Sequence, residues 1–415
     1  MKVTIILQAD TPIAFRSNRN QDAPDTLDYL PGSTLRGGLA AAHAMLRPQD
    51  KDEFKSFFLG DQIQYGNGYP CDFKLSELQD DDLAVDPLPR TALSCKRCHG
   101  FLSPPSRDPR LPPHGVRDSL MSMALFSMHS NTELSIDELL TDCGYVEQDM
   151  PACTQPLEPF KGFMRRRIGN SIYGRSELPK ELRTKSGISR GRGAVHEGIL
   201  YSRRMLSQKA QFQSQLNIAP EIAEDLHTFI EEASEASLLR FGNNRTRGLG
   251  GIKLQAWIPG DTSSATSAIN ERLQMFEAAL SQMAASHHVE LNHSSYLPVY
   301  SLSDVIIHDD MFRYRGRLDE EWLLEELGLE GASLIFLSAS LRRVTSWNAL
   351  WGLPRADDWA IALGSVFLLG LPRKLEDLDL KRLQALEENG TGRRLSEGFG
   401  RIRFADPFHV EVNRV

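Results

Sequence analysis

The chain has 415 residues, with 47 Lys+Arg against 55 Asp+Glu and a formal net charge of -8. At roughly 150 residues per domain its length predicts two or three domains. Hydrophobic residues at 41% and charged residues at 25% exclude a wholly disordered chain, which would be poor in apolar residues. A net acidic chain argues against nucleic acid only if its charge is spread evenly, and residues 161–210 hold 13 Lys/Arg against 3 Asp/Glu, a local +10 that leaves 34 against 52, or -18, elsewhere.

In chain order, residues 2–8 alternate with β-branched residues and predict a strand. Tyr29 to Leu46 predicts a loop and a helix, with Ser33 as N-cap and Leu35 and Leu39 on its inner face. Residues 60–115, rich in Gly, Pro and Asp, predict a loop-rich insertion, and 116–140 one or two helices. The basic stretch 161–195 predicts a long loop or hairpin, 196–217 strand–turn–strand, 219–240 a helix with Leu226, Ile230 and Leu238 inward, and 251–257 a strand. Residues 259–268 are the candidate linker, followed by a helix to about 285. Then come a strand over 298–307, a helix over 318–328, one or two strands over 333–346, a buried strand or helix over 355–371, a helix over 374–388 and a final strand over 401–412. The second half repeats the order of the first, as two linked α+β units would.

The start, MKVTIILQAD, lacks the long apolar stretch of a signal peptide. The longest apolar run, Ala360 to Leu371, contains Gly364, Ser365 and Gly370 and falls short of the about 20 residues that span a membrane. Five cysteines in a chain this size do not make a disulfide framework. The expected compartment is the cytoplasm, with no membrane partner.

The most informative feature occurs twice: Leu239 to Lys253 and Gly390 to Arg403 each follow a predicted helix, run into a strand and set arginines beside glycines. Glycine lets the backbone approach a ligand and aims N–H groups at an anion. Arginine adds a fork for phosphate. The candidates are Arg240, Arg245 and Arg247 in the first turn and Arg393 and Arg394 in the second. Neither turn has the Gly-x-Gly-x-x-Gly spacing, both precede a strand where a dinucleotide motif precedes a helix, and no Walker A pattern exists. The plainer alternative is a tight turn whose glycines serve only backbone geometry.

Three stretches make the chain resemble the CRISPR-associated RAMP superfamily: Leu30 to Leu39, Arg190 to Tyr201 followed by Phe212, and the two glycine turns. Within it, Ser301 to Asp309, Ser346 to Pro354 and Arg393 to Gly400 are similar to the Csx-ten group, the double-domain, Cas-five-like subunits of type III-D effector complexes. The resemblance implies an α+β fold of two ferredoxin-like (RRM-related) domains, one at 1–258 with an insertion at about 60–160 and a basic hairpin at about 161–210, the other at 291–415, joined by a linker and helix at 259–290. It also implies a structural subunit that caps the 5′ handle of crRNA and bridges the large palm-domain subunit to the backbone subunits, meeting target RNA only indirectly. Arg190, Arg192, Arg203 and Arg204 would supply cations to the RNA backbone and Tyr201 an aromatic face. Ser33 and Arg36 would meet a phosphate at the helix N-terminus, unless that turn is plain capping.

Cys95-Lys-Arg-Cys98 is followed by Cys143 and Cys153. Thiolates two residues apart can reach one tetrahedral ion, so these four cysteines predict a structural zinc site stapling the insertion, with His99 or His114 able to replace one ligand; buried free thiols are the alternative. Catalysis is not expected. Some RAMP relatives cleave pre-crRNA with a histidine as general acid or base, and His196 is the candidate here, a packing or stacking role being the competing reading. His308-Asp309-Asp310 and the group His287, His288 and His293 are weaker candidates, the first lying at a strand end and the second splaying apart on a helix.

Overall fold

The computed structural model describes residues 1–15, 25–71, 83–102, 113–129, 135, 139–140, 142–146, 151–167, 172–188, 195–260, 265–348 and 353–413. Strand β1 (Lys2–Ala9) leads into helix α1 (Gly32–Leu46), helix α2 (Lys51–Phe58) and strand β2 (Ile63–Cys71). The N-cap of α1 is Pro31, at φ -63° and ψ 139°, so Ser33 lies inside the first turn and does not cap it. Proline suits the start of a helix because its φ is preset and its missing N–H would have no partner there. Asp50 caps α2 by accepting the Glu53 N–H.

The stretch read as loop-rich begins with a true strand. β2 carries Gly66 and Gly68, which weaken a strand signal, and the structure shows why they are there. A Cβ on Gly66 would sit 2.2 Å from the Gln215 carbonyl oxygen, and one on Gly68 would sit 3.1 Å from Leu30.

Between residues 72 and 210 come two small antiparallel sheets, helix α3 (Leu120–Met128) and a hairpin. One sheet sets Phe163–Arg167 between Leu83–Pro87 and Ile172–Ser176; the other sets Ala92–Cys95 between Val116–Asp118 and Leu157–Pro159. The hairpin pairs Lys180–Ile188 with Val195–Leu206. The chain then returns to the first sheet through β3 (Gln211–Ile218), α4 (Ala223–Glu235) and β4 (Ile252–Pro259).

Helix α5 (Ala265–Ser286) precedes the second unit: β5 (Ser295–Ser301), α6 (Glu320–Leu327), β6 (Ser333–Ser338), a ribbon of Leu341–Val344 on Asp358–Ile361, β7 (Val366–Leu371), α7 (Asp377–Asn389), β8 (Ile402–Phe404) and α8 (Phe408–Glu411). The expected final strand over 401–412 stops at Phe404. Ala405 takes φ +43°, and the Asp406 carboxylate accepts the Phe408 N–H to start α8.

The spatial orders are β4-β1-β3-β2 and β6-β7-β5-β8, all neighbours antiparallel. Counted within each unit, both sheets have the same order: the last strand beside the first, then the third, then the second. Two mixed α/β units with one topology therefore follow each other. Each has its own apolar core. The first gathers Ile5, Leu35, Phe57, Phe212, Leu226, Phe229 and Ile230; the second gathers Leu297, Val299, Trp322, Phe367, Leu369 and Leu383 and recruits Leu120 and Leu125 of α3. Each fully buried Phe or Leu contributes about 1.5–3 kcal/mol of burial.

Candidate nucleic-acid interface and metal centre

The two glycine turns share one backbone course. Positive φ falls at Gly242 and Gly392 (79° and 85°), Asn244 and Arg394 (both 60°), Gly248 and Gly398 (77° and 89°), and Gly250 and Gly400 (82° and 79°). A single 3₁₀ turn lies between, Arg245–Arg247 in one copy and Leu395–Glu397 in the other. Matching amides make matching bonds: Phe241 donates to Gly250 O at 2.8 Å and Thr391 to Gly400 O at 2.9 Å, while Gly250 reaches Pro12 O at 3.1 Å and Gly400 reaches Asp304 O at 2.9 Å. A Cβ on Gly250 would lie 2.1 Å from the Phe241 oxygen, so only glycine closes this turn.

The copies differ in what they face. The first is open: Arg240, Arg245 and Arg247 are exposed, with Arg240 donating only to the Arg245 carbonyl among the hydrogen bonds of the described residues. The second is closed against the first unit. A Cβ on Gly32 at the head of α1 would meet the carbonyl oxygens of Tyr65 and Glu397 at 2.2 and 2.7 Å. Glu397 takes Arg394 at 2.5 Å, Arg355 at 2.8 Å and Arg36 at 3.4 Å, and Arg394 also reaches Asp358 at 2.8 Å. Burial alone would push the Glu397 carboxyl up, but the guanidinium groups of Arg394 and Arg355 hold it below its ordinary value. Arg36 and Arg394, expected on the RNA, are thus engaged inside the protein, walling a cleft of about 1000 Å³ between the units. Arg393 stays exposed, with its guanidinium 3.2 Å from His308 Nδ1.

The basic island is also divided. Arg166 is buried between Asp86 at 3.2 Å and Asp406 at 3.1 Å. Arg175 pairs with Glu177, Lys180 with Asp28 and Arg183 with Glu181. The hairpin register sets Arg203 opposite Arg183, Tyr201 opposite Lys185 and Arg204 opposite Leu182. Like charges directly opposite repel, a cost that a polyanion along the hairpin would relieve. Arg204, 59% exposed, comes no nearer to Asp25 than 4.0 Å. His196 and Tyr201 are placed only by backbone, on Val195–Leu206, and Arg190 and Arg192 lie outside the described residues.

The cysteines converge. Ligand atoms of Cys95, His114, Cys143 and Cys153 all lie within 4.8 Å of one another, and this group could hold a metal ion. Cys98 is buried beside them, its amide 3.5 Å from Cys95 Sγ, but its sulfur falls outside that mutual set, where His114 stands instead. Sequence reasoning favoured the cysteine because Cys-x2-Cys is a local signal, whereas His114 arrives through tertiary pairing. Among the described residues no other His, Cys, Asp or Glu group of this kind forms, so His308 with Asp309 and Asp310, and His287 with His288 and His293, make no such site. Asp309 instead accepts the Met311 and Arg313 N–H groups, each at 2.9 Å.

Among the described residues, no helix is long and apolar enough to cross a membrane. No family model and no curated protein matches the chain. Solved structures are similar at low identity. A chain of a Type III-B Cmr-beta complex bound to cognate target RNA and AMPPnP is 14% identical, with a TM-score of 0.36 over 88% of this chain and 86% of that one. A Cas6 product complex is 11% identical, with a TM-score of 0.38 over 97% and 98% of the two chains. Thermus thermophilus Cas6 is 10% identical, with a TM-score of 0.34 over 97% of each.

Proposed function

We propose that this chain is a non-catalytic RNA-binding subunit of a CRISPR effector complex, a member of the RAMP superfamily similar to the Csx-ten subunits of type III-D. Its two like-ordered units are read as ferredoxin-like domains, at 1–258 and 291–415, the first carrying the insertion. It caps the 5′ handle of crRNA and bridges the large subunit to the backbone subunits, in the cytoplasm. The observation that carries this reading is the open first glycine turn, which exposes Arg240, Arg245 and Arg247 among the left-handed residues Gly242, Asn244, Gly248 and Gly250. That arrangement suits phosphates, and the hairpin with Arg203 and Arg204 extends the cationic surface. A structural zinc at the Cys/His cluster belongs to the same reading.

The test is to incubate purified protein with labelled repeat RNA, with and without EDTA. Binding without scission, weakened by rising salt, is the expected result. Site-specific scission that survives EDTA and is lost in His196→Ala would make the chain a metal-independent endoribonuclease instead.

A further inference from the structure

Three members of the cluster sit near the ends of three different strands of the small sheet. Cys95 ends the central strand Ala92–Cys95, His114 precedes Val116–Asp118, and Cys153 precedes Leu157–Pro159. Both outer strands run antiparallel to the central one, so their starts fall beside its end. Cys143 is brought in by a backbone ladder: its N–H donates to Gln155 O at 2.9 Å, the Gly144 N–H to Cys153 O at 2.7 Å and the Cys153 N–H to Tyr145 O at 2.9 Å. Gly144 takes φ +61° at this turn.

Two features mark this as a ligand shell and not a pocket of idle thiols. The first is the N–H groups aimed at sulfur. Those of Arg97 and Cys98 point at Cys95 Sγ, and that of Tyr145 points at Cys143 Sγ. Such donors are the outer-layer hydrogen bonds that orient a coordinating sulfur. The second is how His114 is fixed. Its ring stacks on Tyr145 at 4.4 Å and 16°, its backbone N–H donates to Cys98 O at 3.1 Å, and its Nδ1 lies 3.3 Å from Cys143 Sγ. In a tetrahedral site with Zn–N of about 2.0–2.1 Å and Zn–S of about 2.3 Å, an N···S edge measures about 3.6 Å, close to the spacing here. Cys98 contributes its backbone carbonyl to the His114 segment and its amide to the Cys95 sulfur; its own sulfur touches Cys95 but lies outside the set whose ligand atoms all fall within 4.8 Å of one another.

We infer that the cluster binds one tetrahedral, thiophilic divalent cation of the zinc class through Cys95, Cys143, Cys153 and His114 Nδ1, with Cys98 a supporting residue outside the coordination shell. This sharpens the structural-metal part of the proposed function and is independent of RNA contact. All four positions are filled by protein, so the ion closes the open end of the three-stranded sheet and leaves no place for a substrate.

The experiment uses the full chain, purified without chelator. Elemental analysis is expected to find one zinc per chain, and X-ray absorption at the zinc edge three sulfurs and one nitrogen. Cobalt substitution should give the strong near-ultraviolet thiolate band of a tetrahedral site. Cys98→Ser should keep full stoichiometry, whereas His114→Ala and Cys143→Ser should lose at least half. A shell of four sulfurs, or full loss in Cys98→Ser with full retention in His114→Ala, overturns the assignment, as does metal-free wild-type protein that takes up no added zinc. The absorption measurement on wild-type protein decides the matter even if variants fail to fold. RNA binding, measured separately, can fail while the metal shell holds, and the reverse.

Discussion

Arg166 and Asp406 stand 240 positions apart in the chain and 3.1 Å apart in the fold, the arginine side chain 10% exposed and the carboxylate wholly buried. Arg403 joins them, reaching Asp86 at 2.7 Å and Asp406 at 2.9 Å, so two arginines and two aspartates form a closed, mutually neutralising set. The set fastens the basic island and the strand Leu83–Pro87 to the turn after β8. Part of the +10 is therefore spent on holding the molecule together.

Removing one partner of a buried pair leaves the other charge uncompensated, at about 3–5 kcal/mol. Arg166→Met should lower the unfolding free energy in urea by about that amount. The remaining folded protein should bind RNA as the wild type does, because this side chain is inside.

The two glycine turns should answer mutation differently. Arg245→Ala and Arg247→Ala should each weaken RNA binding about uniformly across sequences and reduce the salt slope by about 1, with little change in stability. Arg394→Ala should cost about 1–3 kcal/mol, because Glu397 loses a partner while remaining buried. Equal effects of all three on RNA affinity alone would contradict the open and closed assignment.

Two glycines five residues apart in α1 should have opposite effects. Gly32→Ala drives a methyl group into the Tyr65 and Glu397 carbonyls and should destabilise by about 1–3 kcal/mol, loosening the contact between units. Gly37 is exposed, with no atom within 4 Å of a built Cβ, and Gly37→Ala should stabilise by about 0.5–1 kcal/mol. Denaturant midpoints of the two variants provide the comparison.

The pH dependence has a definite sign. Burial alone would lower the His409 pKa, but the Asp118 carboxylate at 3.2 Å, aided by Asp406, outweighs it and holds the ring above its ordinary value. Its contribution to stability is therefore full below about pH 6.5 and is lost as the pH rises through the folded value. Asp406 runs the other way. Burial would raise it, but Arg166 and Arg403 hold it well below the usual carboxylate range, so its contribution is present above about pH 3.9 and fades on acidification. Urea midpoints should fall on both sides of a plateau, and His409→Gln should flatten the alkaline limb.

Much of the element order was legible. Alternation marked β1, the apolar spacing marked α4, and the doubled glycine turns announced two similar units before any sheet order was known. β2 was not legible, because its glycines answer to Leu30 and Gln215, whose approach is a tertiary event. His114 was legible only as one of two possible substitutes, beside His99, because it lies 19 to 39 positions from the cysteines it joins and carries no local spacing signal.

The sequence by itself determined the repeated unit, the glycine positions and the split of a net -8 into +10 and -18, since periodicity, backbone freedom and charge are properties of residues in order. Which arginines remain free to meet an anion was decided only by tertiary structure. An ion pair forms wherever folding brings a carboxylate within reach, and the carboxylates that take Arg166, Arg36 and Arg394 are Asp406, Asp86, Glu397 and Asp358. All but Glu397 for Arg394 lie far from their partners in sequence. The same holds for the Cys/His cluster: Cys95 and Cys98 are neighbours in sequence, but His114 reaches Cys95 only because the strand that it precedes, Val116–Asp118, pairs beside Ala92–Cys95.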